Sequence, residues 1–404
     1  MTLTAPNPVA ENTSFTDTFF DSLLDVPDGE QLKLCLQCGN CSGACPFGFL
    51  MDFPPGKMIA YLRAGIFEKV LDSDSVWMCV SCYACAQACP SKIPITDGLM
   101  TRSKEELLLA GNIPNELQSA LENSQRYGNP LGESPRKRAD WTKGLQPEIT
   151  IMRKASRPVD VLWFVGDYPS YHPRVQQATK AFVKILNALN IDFGILGPEE
   201  NTDADSQRLA GERGLFEMLA EKNGRIFSKY EFGEIITTDP HAYNAFKNEY
   251  PKLGISIPVR HYTEFLVERL DALQPLLKNG GEQKIAYHDP CYLGRANGIY
   301  EEPRRLLEAI PGVKLFEMSH NRTNSLCCGG GGGGMWLDGF QWEKAHVRLS
   351  EWRIREAVSA GVDILAVACP YESPRFEDAA KMIEGAANLR VKDIAELLAE
   401  AMEI

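Results

Sequence analysis

Beyond about residue 155 the hydrophobic pattern switches repeatedly between two periods. Short, nearly unbroken apolar runs ("VDVLWFVGD", "IDFGILGP", "EIITTD") alternate with stretches whose apolar residues recur every three or four positions ("VQQATKAFVKILNAL", "ERGLFEMLAEKNGRIFSKY"). The first kind predicts strands buried on both faces and the second predicts helices laid over them, so the alternation predicts a mostly parallel sheet. The same order then returns: "KIAYHDPC", a helix around "EEPRRLLEAI", "VKLFEMS", a helix from about Gln341 to Ala360, and "VDILAVACP". Two units of like order, over residues 156–275 and 276–404, predict a pseudo-duplicated α/β domain.

The first part of the chain has no such alternation. Residues 1–25 read as a polar arm, and 26–124 hold short helical patterns such as "PGKMIAYLRAGIFEKVLD" and "SKEELLLAGNIPNELQSALE". Residues 125–155 ("SQRYGNPLGESPRKRADWTKGLQPEIT" and its flanks) are rich in Gly, Pro and charge, which marks a connector. The predicted class is α+β overall: a mainly helical N-terminal domain of 26–124, then the α/β unit.

A length of 404 residues supports two or three domains, and 44% apolar content supplies ordinary cores. The formal charge of −12 argues against a general nucleic-acid or anionic-membrane binder. The N-terminus lacks a basic start followed by an apolar run, and no window approaches the roughly 20 apolar residues of a membrane span. The expectation is a cytoplasmic chain whose membrane contact, if any, runs through a partner.

Twelve cysteines change the picture, because they fall into three groups of four. "CLQCGNCSGACP" gives Cys35, Cys38, Cys41 and Cys45, then Pro46; "CVSCYACAQACP" gives Cys79, Cys82, Cys85 and Cys89, then Pro90. Steps of three, three and four ending in Cys-Pro bring thiolates around a cuboidal four-iron cluster, with the fourth cysteine crossing to the neighbouring one. The expected sets are Cys35, Cys38, Cys41 and Cys89 at one cluster, and Cys79, Cys82, Cys85 and Cys45 at the other. Structural zinc usually takes two separated pairs, and disulfides fit poorly in a reducing compartment.

The remaining cysteines are Cys291, Cys327, Cys328 and Cys369, each at a predicted strand end or loop. Six glycines follow the adjacent pair in "LCCGGGGGGMW". A phosphate loop needs Lys and Ser or Thr after its glycines, whereas Met335 and Trp336 stand there, and a dinucleotide turn needs spaced glycines opening a helix. Residues without Cβ permit positive φ and close approach by a bulky ligand, and their amides can donate to cluster sulfur. Cys327 and Cys328 cannot share a helical face, but a curled backbone lets them grip two irons or bridge them.

With these motifs ("CLQCGNCSGACP", "WMCVSCYACAQACPSKIPI", "HDPCYLG", "SLCCGGGGG", "LAVACPY") the chain closely resembles the heterodisulfide reductase family over about residues 30–390. The likeness is to its fused subunit, with a two-cluster ferredoxin-like domain and a cysteine-rich CCG domain. The resemblance implies two cubane [4Fe-4S] clusters and one further four-iron cluster, cubane or noncubane, on Cys291, Cys327, Cys328 and Cys369. Family repeats pair a Cys, Cys-Cys-Gly, Cys-x-x-Cys pattern twice. Here the first repeat has lost its thiols, with Asp167, Asn201, Thr202, Asp239 and Ala242 at the corresponding places. That half is expected to be a scaffold or docking surface without a cluster; Asp167 and Asp239 alone suit only a hard metal. The second repeat has "CPYE", which puts Glu372 at the fifth cysteine place, as a ligand, a proton carrier or a solvated carboxylate.

Glu372, His288 and His320 are the candidate catalytic residues, with Asp289 and Arg295 beside them; Trp336 is expected to pack. The function expected by resemblance is an electron-transfer subunit of a multiprotein redox complex, working with a heterodisulfide-reductase-type flavoprotein or another flavin- or quinone-linked subunit and with a separate catalytic subunit. The alternatives are reduction of a disulfide or other sulfur substrate at the late cluster, an iron–sulfur subunit of a glycolate or lactate oxidation module, and a non-enzymatic redox sensor.

Overall fold

The computed structural model describes residues 17–155, 157–278 and 280–404. Residues 1–16 of the expected arm lie outside the described residues. From Asp17 the arm is a helix, Asp17–Leu24, because Phe19, Phe20, Leu23 and Leu24 form one apolar face; Phe19 and Leu23 are buried and Phe19 meets Phe67 edge-on. Among the described residues no strand precedes Thr150, and 17–127 are short helices joined by turns. The two cysteine motifs have matching backbones. Each opens with two left-handed residues (Gln37 and Gly39, Ser81 and Tyr83), winds one short helix (Asn40–Ala44, Ala84–Ala88) and ends on an extended cysteine, Cys45 or Cys89. The two short helices pack on each other.

The rest is two parallel sheets. The first comprises β1 (Thr150–Ile151), β2 (Val159–Phe164), β3 (Phe193–Ile195), β4 (Phe232–Thr237) and β5 (Val259–His261), in the order β1-β3-β2-β4-β5. The second comprises β6 (Gln283–Tyr287), β7 (Val313–Phe316), β8 (Ile364–Val367) and β9 (Arg390–Asp393), in the order β7-β6-β8-β9. Central β2 and β8 are buried along almost their whole length, as continuous apolar runs in parallel sheets should be. Helices Val175–Ala188 and Ile394–Ala401 pack on each other between the sheets, so Trp163, Phe182 and Tyr262 share one core with Tyr287, Leu306 and Leu398.

The structure departs from the sequence pattern in three places. The stretch expected as a connector is built in: Trp141 is buried edge-on to Trp163, Arg138 is buried, and β1 pairs with β3. The single helix expected from Gln341 to Ala360 is two, Asp338–Ala345 and Leu349–Ser359, because His346 turns left-handed between them. Edge strands β5 and β9 carry Arg260, Arg390 and Lys392, which breaks the apolar signature. Among the described residues no helix is long and apolar enough to cross a membrane.

Candidate iron–sulfur sites

The two N-terminal motifs interleave. Cys45 is surrounded by the second motif: burial raises its thiol first, and the sulfurs of Cys82 and Cys79 raise it next. Cys85 is raised well above the ordinary thiol value by burial and then by Cys79, Cys45 and Cys82. Cys41 is raised by burial, and the sulfurs acting on it include Cys89 and Cys35. Cys38 is exposed, which places its group at the surface, whereas Cys82 and Cys85 are buried. Thiols crowded in a low dielectric resist ionisation, a cost that bound iron removes by drawing off the protons. Among the described residues no three Cys, His, Asp or Glu side chains close on one metal ion. A four-iron body offers a separate iron to each thiolate and needs no such convergence, so the donor sets fit.

The late cysteines stand where a parallel sheet puts its ligands, beyond the carboxyl ends of its strands. β6 runs into His288-Asp289-Pro290-Cys291, β8 into Cys369-Pro370-Tyr371-Glu372, and the loop after β7 carries Cys327 and Cys328. The Cys327 thiol is a hub, raised well above its ordinary value by contacts with Cys291, Cys328 and Cys82. Cys82 and Cys328 are lowered to about 6 each, first by the Cys327 thiol beside them. The amides of Gly329 and Gly330 reach the sulfurs of Cys327 and Cys328 at 3.3 and 3.5 Å. Cys291, Cys328, Cys369 and Glu372 line one pocket.

Glu372 is buried and fixed at one oxygen only. Arg353 Nε donates to His288 Nδ1 at 2.9 Å, so the neutral imidazole carries its proton on Nε2, 3.1 Å from Glu372 Oε1. Burial keeps His288 neutral and pushes the Glu372 carboxyl well up, helped by Cys328 and Cys291. Glu372 Oε2 has no partner, which is what a carboxylate awaiting a further ligand would leave. Arg295 donates to the carbonyls of Cys82, Thr323 and Ser325 and leaves Nη2 unpartnered, among Cys82, Cys291 and Cys327.

The other candidates lie elsewhere. His320 is exposed and bound to Glu356. Asp289 is clamped by both terminal nitrogens of Arg304 and by the Arg322 amide. Trp336 packs against the apolar core of the N-terminal helices. In the first half Asp167 pairs with Arg138 at 2.5 Å, Arg138 also holds Glu200, and Asp239 Oδ1 accepts from the His241 amide. Arg138 therefore competes with any cation at Asp167. Asn201 bonds within its own half; Thr202 does so through its hydroxyl and carbonyl, while its amide donates to Gly128 O at 2.7 Å.

The glycines have a second use that the sequence did not disclose. A Cβ at Gly331 would stand 2.6 Å from Val80 O, and one at Gly332 would stand 2.6 Å from Ser81 Oγ and 2.8 Å from Cys79 O. The close approach they permit is to the backbone of the second cysteine motif. Buried Lys104 ties the two together, donating to Cys79 O at 2.8 Å and Gly332 O at 2.7 Å. His241 was also overlooked. Its ring lies tilted over Tyr292 with centroids 4.0 Å apart and lines the late pocket. The available signal was the Pro-His after Asp239, which mirrors the Pro-Tyr after Cys369.

Residues 31–93 match the 4Fe-4S dicluster domain and residues 285–371 the cysteine-rich CCG domain. The chain is 35% identical to the probable iron-sulfur-binding oxidoreductase FadF of Bacillus subtilis, over 82% of this chain and 47% of that protein. It is 32% identical to an EtfAB:quinone oxidoreductase of Syntrophomonas wolfei, over 85% of this chain and 48% of that one. A component of the dihydromethanophenazine:CoB–CoM heterodisulfide reductase of Methanosarcina barkeri is 30% identical, over 69% of this chain and 66% of that component. The chain spans about half the length of the first two relatives. The chain joins a 4Fe-4S dicluster domain to a cysteine-rich CCG domain, and its relatives include a heterodisulfide reductase component and iron–sulfur oxidoreductases.

Proposed function

We propose that the chain is an electron-transfer subunit of a heterodisulfide-reductase-like redox complex, in which two cubane clusters and one special four-iron cluster form a relay. When bound, such clusters supply single-electron transfer. The observation that carries the reading is that Cys82 packs in one buried cluster with Cys291 and Cys327, which makes the second N-terminal set and the late set neighbours. Cys35, Cys38, Cys41 and Cys89 would hold the outer cluster, near the surface at Cys38. Cys79, Cys82, Cys85 and Cys45 would hold the inner one, and Cys291, Cys327, Cys328 and Cys369 the third, with Glu372 Oε2 available to it.

His288 orients Glu372, and Arg353 fixes the tautomer of His288. Arg295 offsets the negative charge that thiolates bring between the inner and late sets. Apart from the edge strand β1, the two sheets share a strand order and would be duplicated halves, over 156–275 and 276–404, the first serving as scaffold. The partner would be a flavin- or quinone-linked subunit, a proposal that a relative named for quinone supports. The location would be cytoplasmic, with membrane contact through that partner. A second reading, reduction of a sulfur substrate at the late site, is favoured by the pocket at Cys291, Cys328, Cys369 and Glu372.

Anaerobic purification, iron counting and electron paramagnetic resonance during a redox titration test both readings. About twelve irons per chain and three reducible centres support the relay, and about eight irons remove its late member. A late signal that changes on adding a disulfide selects the second reading.

A further inference from the structure

The two N-terminal cysteine motifs have matching backbones but unlike surroundings. Leu34 and Leu36 flank Cys35 as Met78 and Val80 flank Cys79. Met78 is 1% exposed and Val80 3%, inside an apolar cluster shared with Cys291, Tyr292 and Cys327 of the late half, whereas Leu34 is 58% exposed and Leu36 70%. The cover over the second motif also bonds to its main chain. The Tyr292 hydroxyl donates to Ser81 O at 3.1 Å and Arg295 Nε to Cys82 O at 2.7 Å. Lys104 Nζ donates to Cys79 O at 2.8 Å and to Gly332 O at 2.7 Å, so one cation spans the motif and its cover. On the first motif Arg63 Nη1 donates to Cys35 O at 2.8 Å, as Lys104 does to Cys79 O, but Arg63 is exposed and bonds to no second group among the described residues. The carbonyls of Gln37 and Cys38, which match those of Ser81 and Cys82, accept no hydrogen bond among the described residues.

We propose that the face built by Leu34, Leu36 and the exposed Cys38 is the docking surface for an outside redox protein, one whose cofactor-bearing face is apolar at its centre and acidic at its rim. The inference rests on the reading that Cys35, Cys38, Cys41 and Cys89 hold the outer cluster. The apolar centre follows from the two leucines, whose counterparts on the second motif are covered by a cysteine-bearing loop. The acidic rim follows from charge. Lys33, Arg63 and Lys92 are exposed around the leucines on a chain of net charge −12, and Glu30 is taken up by Lys33 at 2.6 Å. Lys92 is held there because the neighbouring Ser91 hydroxyl donates to Leu34 O at 3.0 Å. Where the late half answers Lys104 with a carbonyl, a carboxylate of the partner would answer Arg63. A partner seated on this face meets the outer set at its exposed thiol, since Cys41 and Cys89 are buried.

The test uses the full chain with its clusters, reduced by dithionite and freed of it, and cytochrome b5, an acidic haem protein, as the oxidised probe in stopped flow. In the step followed, one electron leaves the outer cluster, which is oxidised, and reduces the haem iron from ferric to ferrous, with no proton moved. Two proteins of net negative charge should meet faster as salt screens their repulsion, and a local basic face reverses that sign. The rate should fall about 10-fold from low to high ionic strength. At low salt it should also fall about 10-fold in Lys92→Glu and in Leu36→Ser, with iron and the outer paramagnetic signal kept, while Lys137→Glu, the same charge change on the connector, stays within about twofold. Should Leu36→Ser shed iron, Lys92→Glu decides alone. A rate that rises with salt or ignores it overturns the proposal, and so does a Lys92→Glu that reacts as fast as the wild type or no slower than Lys137→Glu. A dimer in sedimentation that Leu36→Ser dissolves would give the face to a second copy and overturn it too. If Cys38→Ser removes neither iron nor any paramagnetic signal, the outer cluster itself is missing and the underlying reading fails, a result the kinetics cannot imitate.

Discussion

Replacing the glycines one at a time by alanine separates the two reasons for their presence. Gly332 has φ +60° and its added Cβ would meet Ser81 Oγ at 2.6 Å and Cys79 O at 2.8 Å. A left-handed alanine costs about 1–2 kcal/mol and overpacking against backbone about 1–3, so Gly332→Ala should lose about 2–5 kcal/mol. Gly331→Ala, free of the φ penalty but 2.6 Å from Val80 O, should lose about 1–3 kcal/mol. At Gly330 the added methyl meets Met335 Sδ at 2.9 Å, the far part of a flexible side chain that can turn aside, and the loss should stay below about 1 kcal/mol. The assay is anaerobic thermal unfolding of the loaded protein with iron counted in parallel. It is read as an order of midpoints, because a two-domain chain with bound clusters does not unfold in two states. The expected order of damage is 332, 331, 330. If room for the cluster is what the glycines provide, Gly330→Ala, whose Cβ would lie 3.7 Å from Cys328 Sγ, should be worst and should shed iron while the other two are tolerated. That outcome would refute the interlock.

Three further expectations follow from the same geometry. Crossed ligation makes Cys89→Ser lose the same paramagnetic signal as Cys38→Ser, and Cys45→Ser the same signal as Cys85→Ser; pairing within each motif would reverse the partners. Arg295→Gln removes a buried cation from among Cys82, Cys291 and Cys327 and should lower the potentials of the adjoining centres by on the order of 100 mV in a redox titration; unchanged potentials would deny it that role. Burial pushes the Asp393 carboxyl up to about 7, above the roughly 3.9 of an unfolded chain, so its contribution is full below about pH 4 and is lost as pH rises through 7. Asp393→Asn keeps an oxygen for the Tyr262 hydroxyl and the Ala395 amide, and should recover on the order of 2–4 kcal/mol at pH 8 relative to pH 5 in denaturant titrations; an equal pH drop in both proteins would contradict this.

How much could be read from the letters depended on whether a feature is local. Strands β2, β4, β6 and β8 were visible because a strand buried on both faces is an apolar run whatever its neighbours. Edge strands β5 and β9 were not, since three or four residues with Arg260 or Lys392 among them resemble a turn. Cysteine spacing pointed to the N-terminal donor groups, because three of the four ligands expected at each of those clusters come from one short loop. Glycine identity was readable as a demand for space, yet what fills that space at Gly331 and Gly332 is the carbonyl backbone of Val80 and Cys79, more than half of the sequence length away. The same limit hid Arg353 and His241: each acquires its importance from a contact across the fold, with His288 and with Asp205.

Lys104 and the glycines bolt the helical module to the cysteine-rich one through main-chain atoms. A carrier built that way cannot shuttle by swinging on a tether, as some multidomain electron proteins must. Internal hops should then run at a fixed separation and stay indifferent to solvent viscosity, which leaves the meeting with an outside protein as the only step that diffusion can slow.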